Sequence, residues 1–233
     1  SNTNKKKHIE VKYICKNILD LKRIPQVDYV IYSLRNDNIK TSNDYFTQFL
    51  KLLKTLNKKP KILFTSSGAI YGKNKNKKKD RESNVIDFNS INTLSAYKKR
   101  YALEKIFVEQ KITELGMKDY HASIARCYTF IGKNIIKYKF AISSLINDSL
   151  KNKIIKLKTS KNVYRSYMHS NDLVEWLIKI LKNSNKQCPI YNVGSDKVIN
   201  LRELTKRISK LSKKKCHLNK ISSKNWDYYA PST

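Results

Sequence analysis

The sequence predicts an α/β protein in which a parallel sheet carries helices on both faces. Short apolar segments typical of strands alternate along the 233-residue chain with longer segments whose apolar residues recur at helical spacing. Parallel strands need crossover connections, so this alternation favours a covered parallel sheet. The length is sufficient for one substantial hydrophobic core or two small ones.

The first half of the chain contains three predicted strands and two predicted helices. Residues 9–14 alternate between apolar and polar side chains, as a half-buried strand does. An apolar stripe marks the first helix, which Pro60 ends, and Gly116 is expected to close the second. The strands are residues 9–14, 27–32 and 61–64, and the helices are residues 44–56 and 97–115.

The second half contains two predicted strands and three predicted helices. Ser170 or Asn171 is expected to cap the middle helix, whose apolar face includes Trp176 as a packed side chain. His169 is expected to be structural, and the basic residues 212–215 are expected to form a solvated turn. The strands are residues 121–126 and 189–193, and the helices are residues 140–150, 171–181 and 200–211.

The net charge of +31 is extreme for a chain of this length. One interpretation is a polyanionic partner such as nucleic acid or an anionic membrane. However, the excess is mostly lysine, many Asn and Ile residues accompany it, and residues 74–79 show lysines without interleaved aromatics. We therefore interpret the charge as compositional drift and expect no specific nucleic-acid site. A basic surface would still attract anionic substrates.

Cysteine usage and hydropathy disfavour several other classes of protein. Cys15, Cys127, Cys188 and Cys216 have no paired spacing, which argues against a zinc site or disulfide framework and fits a reducing cytoplasm. Cys127 lies in an apolar segment and is expected to belong to the core. No apolar run approaches the roughly 20 residues of a membrane span. The sequence has no initiator Met, so we expect a longer parent protein.

Tyr101 and Lys105 are the leading candidates for catalysis. Four residues apart on a helix, they lie on one face, one turn apart. A lysine ammonium lowers the pKa of a nearby tyrosine, which can then exchange a proton with a sugar hydroxyl or carbonyl. Ser67, at a neighbouring strand end, can hold the same oxygen. This trio fits a nicotinamide-linked alcohol/ketone reaction. Tyr97 is a rival, but the residue four positions later is Tyr101 rather than a lysine.

Tyr101 and Lys105 belong to a series of five motif-like segments between residues 65 and 195, and Glu109 adds an acidic residue one turn later. Besides this YxxxK pair, the segments are residues 65–72 (TSSGAIYG), 125–132 (ARCYTFIG), 165–173 (RSYMHSNDL) and 191–195 (YNVGS). Together they resemble the extended short-chain dehydrogenase/reductase family, specifically the NAD-dependent nucleotide-sugar epimerases and dehydratases. The resemblance implies a Rossmann-like fold, NAD or NADP as cofactor, and a nucleotide-sugar substrate.

The resemblance also implies roles for individual residues. Ser67, Tyr101 and Lys105 would be catalytic. Ser67, Thr129 and Arg165 would contact the substrate, and the Arg165 guanidinium suits a bidentate contact with its diphosphate. The cofactor would be bound by Asn17, Ser33, Leu34, Ser66, Tyr101 and Lys105. No metal site is implied.

Several departures from the family pattern limit this resemblance. The family opens with a strand and a GxxGxxG turn that cradles the cofactor pyrophosphate, whereas the first predicted strand here, residues 9–14, resembles the family's third. We therefore expect the first βαβ segment to be missing and NAD binding by this chain to be weak. Asn17 and Thr129 replace an Asp and an Asn of the family. Gly68 and Ala69 replace the Asp and Glu that drive water elimination in 4,6-dehydratases.

The sequence thus predicts a domain division and a function. Residues 1–132 would form the partial Rossmann-like domain and residues 133–233 a small substrate-binding portion, of which residues 165–185 return to the Rossmann core. The expected function is an NAD(P)-dependent nucleotide-sugar epimerase or 4-keto-reductase, an isomerase or oxidoreductase of carbohydrate biosynthesis. A 4,6-dehydratase is disfavoured, and a catalytically inactive, basic binding protein on a degenerate Rossmann scaffold is the alternative. We expect a cytoplasmic location, no membrane partner, and an assembly that could be a homodimer.

Overall fold

The computed structural model describes residues 11–34, 38–73, 79–133, 135, 140–151, 154–221 and 226–232. The helices in this part of the chain are α1 (Ile39–Leu53), α2 (Phe88–Asn92), α3 (Ala96–Gly116), α4 (Ala141–Lys151), α5 (Ser170–Lys182) and α6 (Leu201–Ser212). The strands are β1 (Tyr29–Tyr32), β2 (Lys61–Ser67), β3 (Ala122–Cys127), β4 (Phe130–Ile131), β5 (Ile154–Leu157), β6 (Asn162–Ser166), β7 (Met168–His169), β8 (Ile190–Val193), β9 (Val198–Asn200), β10 (Lys215–Leu218) and β11 (Trp226–Tyr229). Short 3-10 helices span Ile18–Asp20 and Gly68–Tyr71.

Four strands form the main sheet, in the order β1-β2-β3-β8 and with every pair parallel. Consecutive residues of β2 show why both faces are covered: Phe64 belongs to the core beneath α1 and α3, Leu63 to the core beneath α5, and both are fully buried. Alternate side chains of a strand point to opposite faces, so apolar residues at both kinds of position require two helical layers. The predicted fold class is confirmed.

A smaller unit is built mainly from the later part of the chain. Strand β6 pairs with β11 in parallel and with β9 antiparallel, while β5 pairs with β10 in parallel. Leu145, Ile155 and Leu201 are buried together between these strands and the helices α4 and α6. Helix α5 does not join this unit, because it packs on β2 and β3 of the main sheet.

Helix α3 is the longest helix of the described structure and carries the YxxxK pair over 21 residues. Its composition favours a helix, because Ala, Leu, Lys, Glu and Gln dominate the stretch. Gly116 was expected just beyond the helix, but it lies within the last turn. A Cβ on Gly116 would lie 2.7 Å from the carbonyl oxygen of Lys186, so glycine here permits close packing rather than a left-handed cap. Asp119 has the positive φ, 65°, after the helix.

The predicted first strand was wrong over the residues that can be described. Residues 11–14 have no strand conformation, while residues 9 and 10 lie outside the described part. A strand is defined by backbone hydrogen bonds to a neighbour, and no described strand pairs with this segment. Asn17, which follows, is the cap of the first 3-10 helix: its side-chain oxygen accepts a hydrogen bond from the Leu19 N–H at 3.1 Å.

Two predictions for α5 also needed correction. His169, rather than Ser170 or Asn171, is the cap: its Nδ1 accepts a hydrogen bond from the Asn171 N–H at 3.3 Å, which is a structural role. The apolar face is narrower than expected. Leu177 packs on the core, whereas Trp176, turned by 100° around the helix axis, is 42% exposed.

Candidate active site

A cavity of about 620 Å³ lies at the carboxyl ends of β2 and β3. This end of a parallel sheet is where α/β proteins bind ligands, because loops and helix starts converge there. The cavity brings together Ser67 at the end of β2, Tyr101 on α3, Thr129 after β3 and Arg165 on β6. Residues predicted separately from four motifs therefore face one space.

Ser67 is held in place by the turn that follows β2. Its Oγ accepts a hydrogen bond from the Ala69 N–H at 3.2 Å and caps the 3-10 helix Gly68–Tyr71. Gly72 ends that helix with a φ of 71°, and a Cβ there would lie 2.7 Å from the Ser90 Oγ. The turn thus needs glycine at position 72. Ser67 both caps this turn and lines the cavity.

Tyr101 and Lys105 lie one turn apart on α3, as their spacing predicted. Tyr101 lines the cavity, while Lys105 lies behind it with 3% of its surface exposed. The Lys105 Nζ is 5.8 Å from the Tyr101 ring centroid and 5.0 Å from that of Phe64. It donates a hydrogen bond to the Leu34 carbonyl oxygen at 3.1 Å. The ammonium is thus fixed against the end of β1 and close to the tyrosine.

Glu104 is a buried carboxylate beside this pair that the sequence reasoning missed. Its Oε2 lies 3.6 Å from the Lys105 Nζ, and its Oε1 accepts a hydrogen bond from the Ser42 Oγ at 3.1 Å. Both charged residues are almost completely inaccessible to water. The only signal in the sequence was a carboxylate directly before the lysine, and charged neighbours are common on helix surfaces.

A buried network of polar side chains supports the floor of the site. Glu109 accepts a hydrogen bond from the Ser66 Oγ at 2.5 Å and pairs with Arg126, whose Nη2 donates to Oε2 at 2.8 Å. The Arg126 Nη1 donates to the Tyr71 hydroxyl at 2.7 Å, and that hydroxyl donates to the Asn192 Oδ1 at 3.0 Å. The network ties β2, α3, β3 and β8 together directly beneath the cavity.

The charges of this network stabilise one another. Burial opposes the charge on Arg126, but Glu109 more than offsets it, so the pKa of the guanidinium is raised above its ordinary value. Burial also raises the pKa of Tyr71, although Arg126 works in the opposite direction. Tyr71 is therefore a neutral hydroxyl that can donate to Asn192. These states make the network a fixed support rather than a source of protons.

Arg165 forms an ion pair with the Asp227 carboxylate in the wall of the cavity. Its Nη2 donates to the Asp227 Oδ2 at 3.0 Å and its Nη1 to Oδ1 at 3.2 Å, and Lys98 donates to the same carboxylate at 3.3 Å. Burial opposes ionisation of Asp227, yet Arg165 and Lys98 hold the pKa of its carboxyl below the ordinary value. All three side chains line the cavity, so this wall carries an excess of positive charge.

Asp227 and Tyr229, both on β11, are two of the cavity residues that sequence reasoning missed. Tyr229 places its hydroxyl 3.1 Å from the Ser67 Oγ. No local pattern links these residues to the motifs, because 162 positions separate Tyr229 from Ser67 and 62 separate Asp227 from Arg165. The parallel pairing of β11 with β6 brings them together.

The predicted cofactor residues lie on or next to four elements of the fold, namely β1, β2, α3 and the first 3-10 helix. Leu34 is tied to Lys105, Ser33 is exposed beside it, and Ser66 is buried in the polar network. Asn17 is exposed on its 3-10 helix and does not line the cavity. Tyr101 and Lys105 lie close together on α3, and the chain's five glycines form no Gly-rich turn that could bind a pyrophosphate.

The other expectations for this region concern cysteine, metals and membranes. Cys127 is partly buried and lines the cavity, and burial raises the pKa of its thiol to about 12, so the thiol is neutral there.

Among the described residues, no group of three or more His, Cys, Asp or Glu side chains could hold a metal ion. No helix in the same residues is long and apolar enough to cross a bilayer.

The comparison with known families agrees with this geometry. The sequence model of the NAD dependent epimerase/dehydratase family matches residues 22–194, which is most of the chain and includes four of the five motif segments in full and part of the fifth. The chain belongs to this family. Family membership makes it part of an enzyme family that depends on NAD, and it confirms the predicted resemblance and cofactor class. No curated protein has a sequence similar enough to be matched.

Solved structures of family enzymes share the fold at low sequence identity. The dTDP-glucose 4,6-dehydratase from Bacillus anthracis in complex with NAD is 16% identical with a TM-score of 0.64, over 84% of this chain and 60% of the other. RMD from Pseudomonas aeruginosa complexed with NADPH is 16% identical with a TM-score of 0.69, over 90% of this chain and 72% of the other. The UDP-N-acetylglucosamine 4-epimerase from Bacillus cereus is 15% identical with a TM-score of 0.64, over 91% of this chain and 69% of the other. The chain thus spans less than two thirds of the length of the first of these enzymes.

Proposed function

We propose that the intact protein is an NAD(P)-dependent nucleotide-sugar epimerase or 4-keto-reductase that acts through Ser67, Tyr101 and Lys105. The observation that carries the proposal is the cavity that collects Ser67, Tyr101, Thr129 and Arg165 at the carboxyl end of the sheet. Its volume of about 620 Å³ lies within the range of roughly 300–1,000 Å³ typical of small-molecule sites.

Tyr101 is the acid–base group in this proposal. Its phenolate takes the proton of a sugar hydroxyl while the hydroxyl carbon becomes a carbonyl, and it returns the proton on reduction. Lys105 stabilises the phenolate, because its buried ammonium is held near the Tyr101 ring by Leu34 and Glu104. Ser67 holds the reacting oxygen with a hydrogen bond. NAD, when bound, supplies the hydride exchange.

The wall formed by Arg165 and Lys98 would bind the diphosphate of the substrate. A guanidinium can contact two phosphate oxygens at once, and the adjacent ammonium adds charge. Asp227 already occupies part of the Arg165 fork. The phosphate would therefore share or replace that contact, and Thr129 would contact the sugar. In this proposal residues 133–233 contribute the substrate-binding portion.

The residues around Ser67 favour epimerisation or keto-reduction over dehydration. Water elimination needs an acid and a base beside the sugar, whereas Gly68 and Ala69 carry neither. Among the described residues that line the cavity, Asp227 supplies the carboxylate, and it is committed to Arg165. No acid among these described lining residues is thus placed next to Ser67 for the elimination step.

Product analysis with the intact protein tests the proposal. UDP-, dTDP-, CDP- and GDP-sugars are incubated with NAD, their 4-keto derivatives are incubated with NADPH, and the products are identified by NMR. We expect inversion at one hydroxyl carbon or reduction of a 4-keto sugar. Tyr101→Phe should lower kcat by about 10²–10⁴-fold without weakening cofactor binding, because only the proton-transfer hydroxyl is lost. Tyr120→Phe, a hydroxyl deletion outside the cavity, is the control.

Two results would contradict this function. A 4-keto-6-deoxy product would identify a dehydratase and show that another group supplies the elimination acid. Equal kcat values for Tyr101→Phe and the wild type would remove Tyr101 from the mechanism. If no nucleotide sugar binds while DNA or RNA binds with nanomolar, sequence-specific affinity at physiological salt, the basic binding-protein alternative would be favoured.

A further inference from the structure

Tyr229 is fixed next to Ser67 by backbone and ring contacts. Strand β11 sets its register, with Tyr229 opposite Arg165. Ala230, the next residue, is fully buried, and its carbonyl oxygen accepts a hydrogen bond from the Asp80 N–H at 3.0 Å. The Tyr229 ring packs on Tyr128 with centroids 4.6 Å apart and lies 5.6 Å from the Arg165 guanidinium carbon. Its hydroxyl therefore has little freedom.

The hydrogen-bonding capacity of the Ser67 hydroxyl determines what the Tyr229 hydroxyl can do there. A serine hydroxyl has one proton to donate and two lone pairs to accept. The Ala69 N–H takes one lone pair at 3.2 Å, and the Tyr229 hydroxyl lies 3.1 Å from the same oxygen. If Tyr229 donates, both lone pairs are filled. The Ser67 hydroxyl then has only its proton left to use, and it can donate this proton to an acceptor in the cavity that Ser67 lines.

The alternative for the Tyr229 proton is the Cys127 carbonyl oxygen, at 3.4 Å. This contact is 0.3 Å longer than the contact to the Ser67 Oγ, so the Ser67 Oγ is the better-placed acceptor for the Tyr229 proton. Burial strongly raises the pKa of Tyr229, and this effect exceeds the opposing effect of the Arg165 charge. Tyr229 therefore keeps its proton under conditions in which Tyr101 works as a base.

We infer that Tyr229 is a positioning residue that donates its hydroxyl proton to Ser67 and so directs the Ser67 proton at the substrate oxygen. This inference rests on the proposed function, since it assumes that Ser67 holds that oxygen. Tyr229 does not contact the reacting atoms in this arrangement. It fixes the direction of a hydrogen bond that must point at charge developing on the oxygen during reduction or oxidation.

A double-mutant cycle in the intact protein tests the inference. Tyr229→Phe keeps the ring contacts and removes only the hydroxyl. It should lower kcat by about tenfold with KM nearly unchanged, as expected for the loss of one oriented hydrogen bond. In the Ser67→Ala background, Tyr229→Phe should cause no further fall. In Ser67→Thr, which retains a hydroxyl, the tenfold effect of Tyr229→Phe should return. Tyr120→Phe should leave kcat unchanged in every background.

The possible failures are distinguishable. Equal losses from Tyr229→Phe in the wild-type and Ser67→Ala backgrounds would overturn the inference and leave the proposed function standing. An unchanged kcat in Ser67→Ala would overturn both. Urea unfolding supplies a readout without turnover: the losses of stability in Tyr229→Phe and Ser67→Ala should be less than additive if the hydroxyls are bonded. Strict additivity would show that they are not and would overturn the inference.

Discussion

The structure contains two arginine–carboxylate pairs near the cavity that have similar geometry but different surroundings. Arg126 and Glu109 approach to 2.8 Å, and their side chains are each 6% exposed. Arg165 and Asp227 approach to 3.0 Å, with exposures of 20% and 31%. The first pair is sealed beneath the floor of the site, whereas the second forms part of its wall.

This difference in burial indicates that the Arg126–Glu109 pair supports the fold, whereas the Arg165–Asp227 pair can take part in ligand binding. Removing one partner of a buried pair leaves a charge without water, which is costly, and so the buried pair is held in a single state. A partly exposed pair contributes little to stability and can exchange its partner for another anion at small cost. We therefore expect Arg126 to be structural and Arg165 to be available to a ligand, although both have the same chemistry.

Glu109→Gln should have the largest effect on stability. It leaves the Arg126 guanidinium buried without its counter-charge, and such changes typically cost about 3–5 kcal/mol. The hydrogen bond from Ser66 would be weakened as well. The free energy of unfolding in urea measures the effect.

Glu114→Gln is the matched control, because Glu114 lies on the same helix and pairs with Lys111 at an exposed position. Its loss should stay below about 1 kcal/mol. Similar losses of stability for Glu109→Gln and Glu114→Gln would show that burial does not distinguish a supporting pair from an exposed one.

The main elements of the fold were predictable because their signals are local. The predicted helix 97–115 is Ala96–Gly116 in the structure, and the predicted strand 121–126 is Ala122–Cys127. Helical spacing and runs of apolar residues are properties of a single segment, so the type of element can be predicted locally. In these two elements, tertiary contacts then change the ends by a residue without changing the type. The motifs placed Ser67, Tyr101, Thr129 and Arg165 in one fold, and that fold brings all four to one cavity.

The partners of these residues could not be predicted in the same way. Strands β6, β9 and β11 are three to five residues long, and their pairing joins segments far apart in the chain. Neither Asp227 nor Tyr229 shows a local pattern that points to Arg165 or Ser67. Likewise, no local sequence pattern predicts that Glu109 and Arg126 are buried against each other. Charged side chains usually lie at the surface, and these two are buried only because α3 packs on the sheet.

Arg165→Ala should affect binding more than stability. Hydrogen bonds to a charged group are worth about 1.5–3 kcal/mol, which corresponds to roughly a tenfold to hundredfold weaker Kd for UDP or another nucleoside diphosphate. Calorimetry with the intact protein measures Kd, and urea unfolding measures stability, which should change by about 1 kcal/mol or less.

Arg207→Ala is the control for charge alone, because Arg207 pairs with Glu203 at an exposed position outside the cavity. It should leave Kd nearly unchanged. If Arg165→Ala instead destabilises the fold strongly and leaves nucleotide binding intact, Arg165 would be a structural residue like Arg126.

The smallest expected effect is the pH dependence of the Arg165–Asp227 pair. The folded pKa of Asp227 lies below the value of about 3.9 for an unfolded aspartate, because Arg165 and Lys98 outweigh burial. Its contribution to stability is therefore complete above about pH 4 and is lost as the pH falls through the folded pKa. Thermal unfolding of wild type and Asp227→Asn from pH 6 to pH 2 should show a gap, below about 1 kcal/mol, that closes in acid. In an Arg165→Ala background the gap should already be small at pH 6. A gap that widens as the pH falls would mean that the surroundings of Asp227 disfavour its charged form, and that the Arg165–Asp227 pair is not an exchangeable contact.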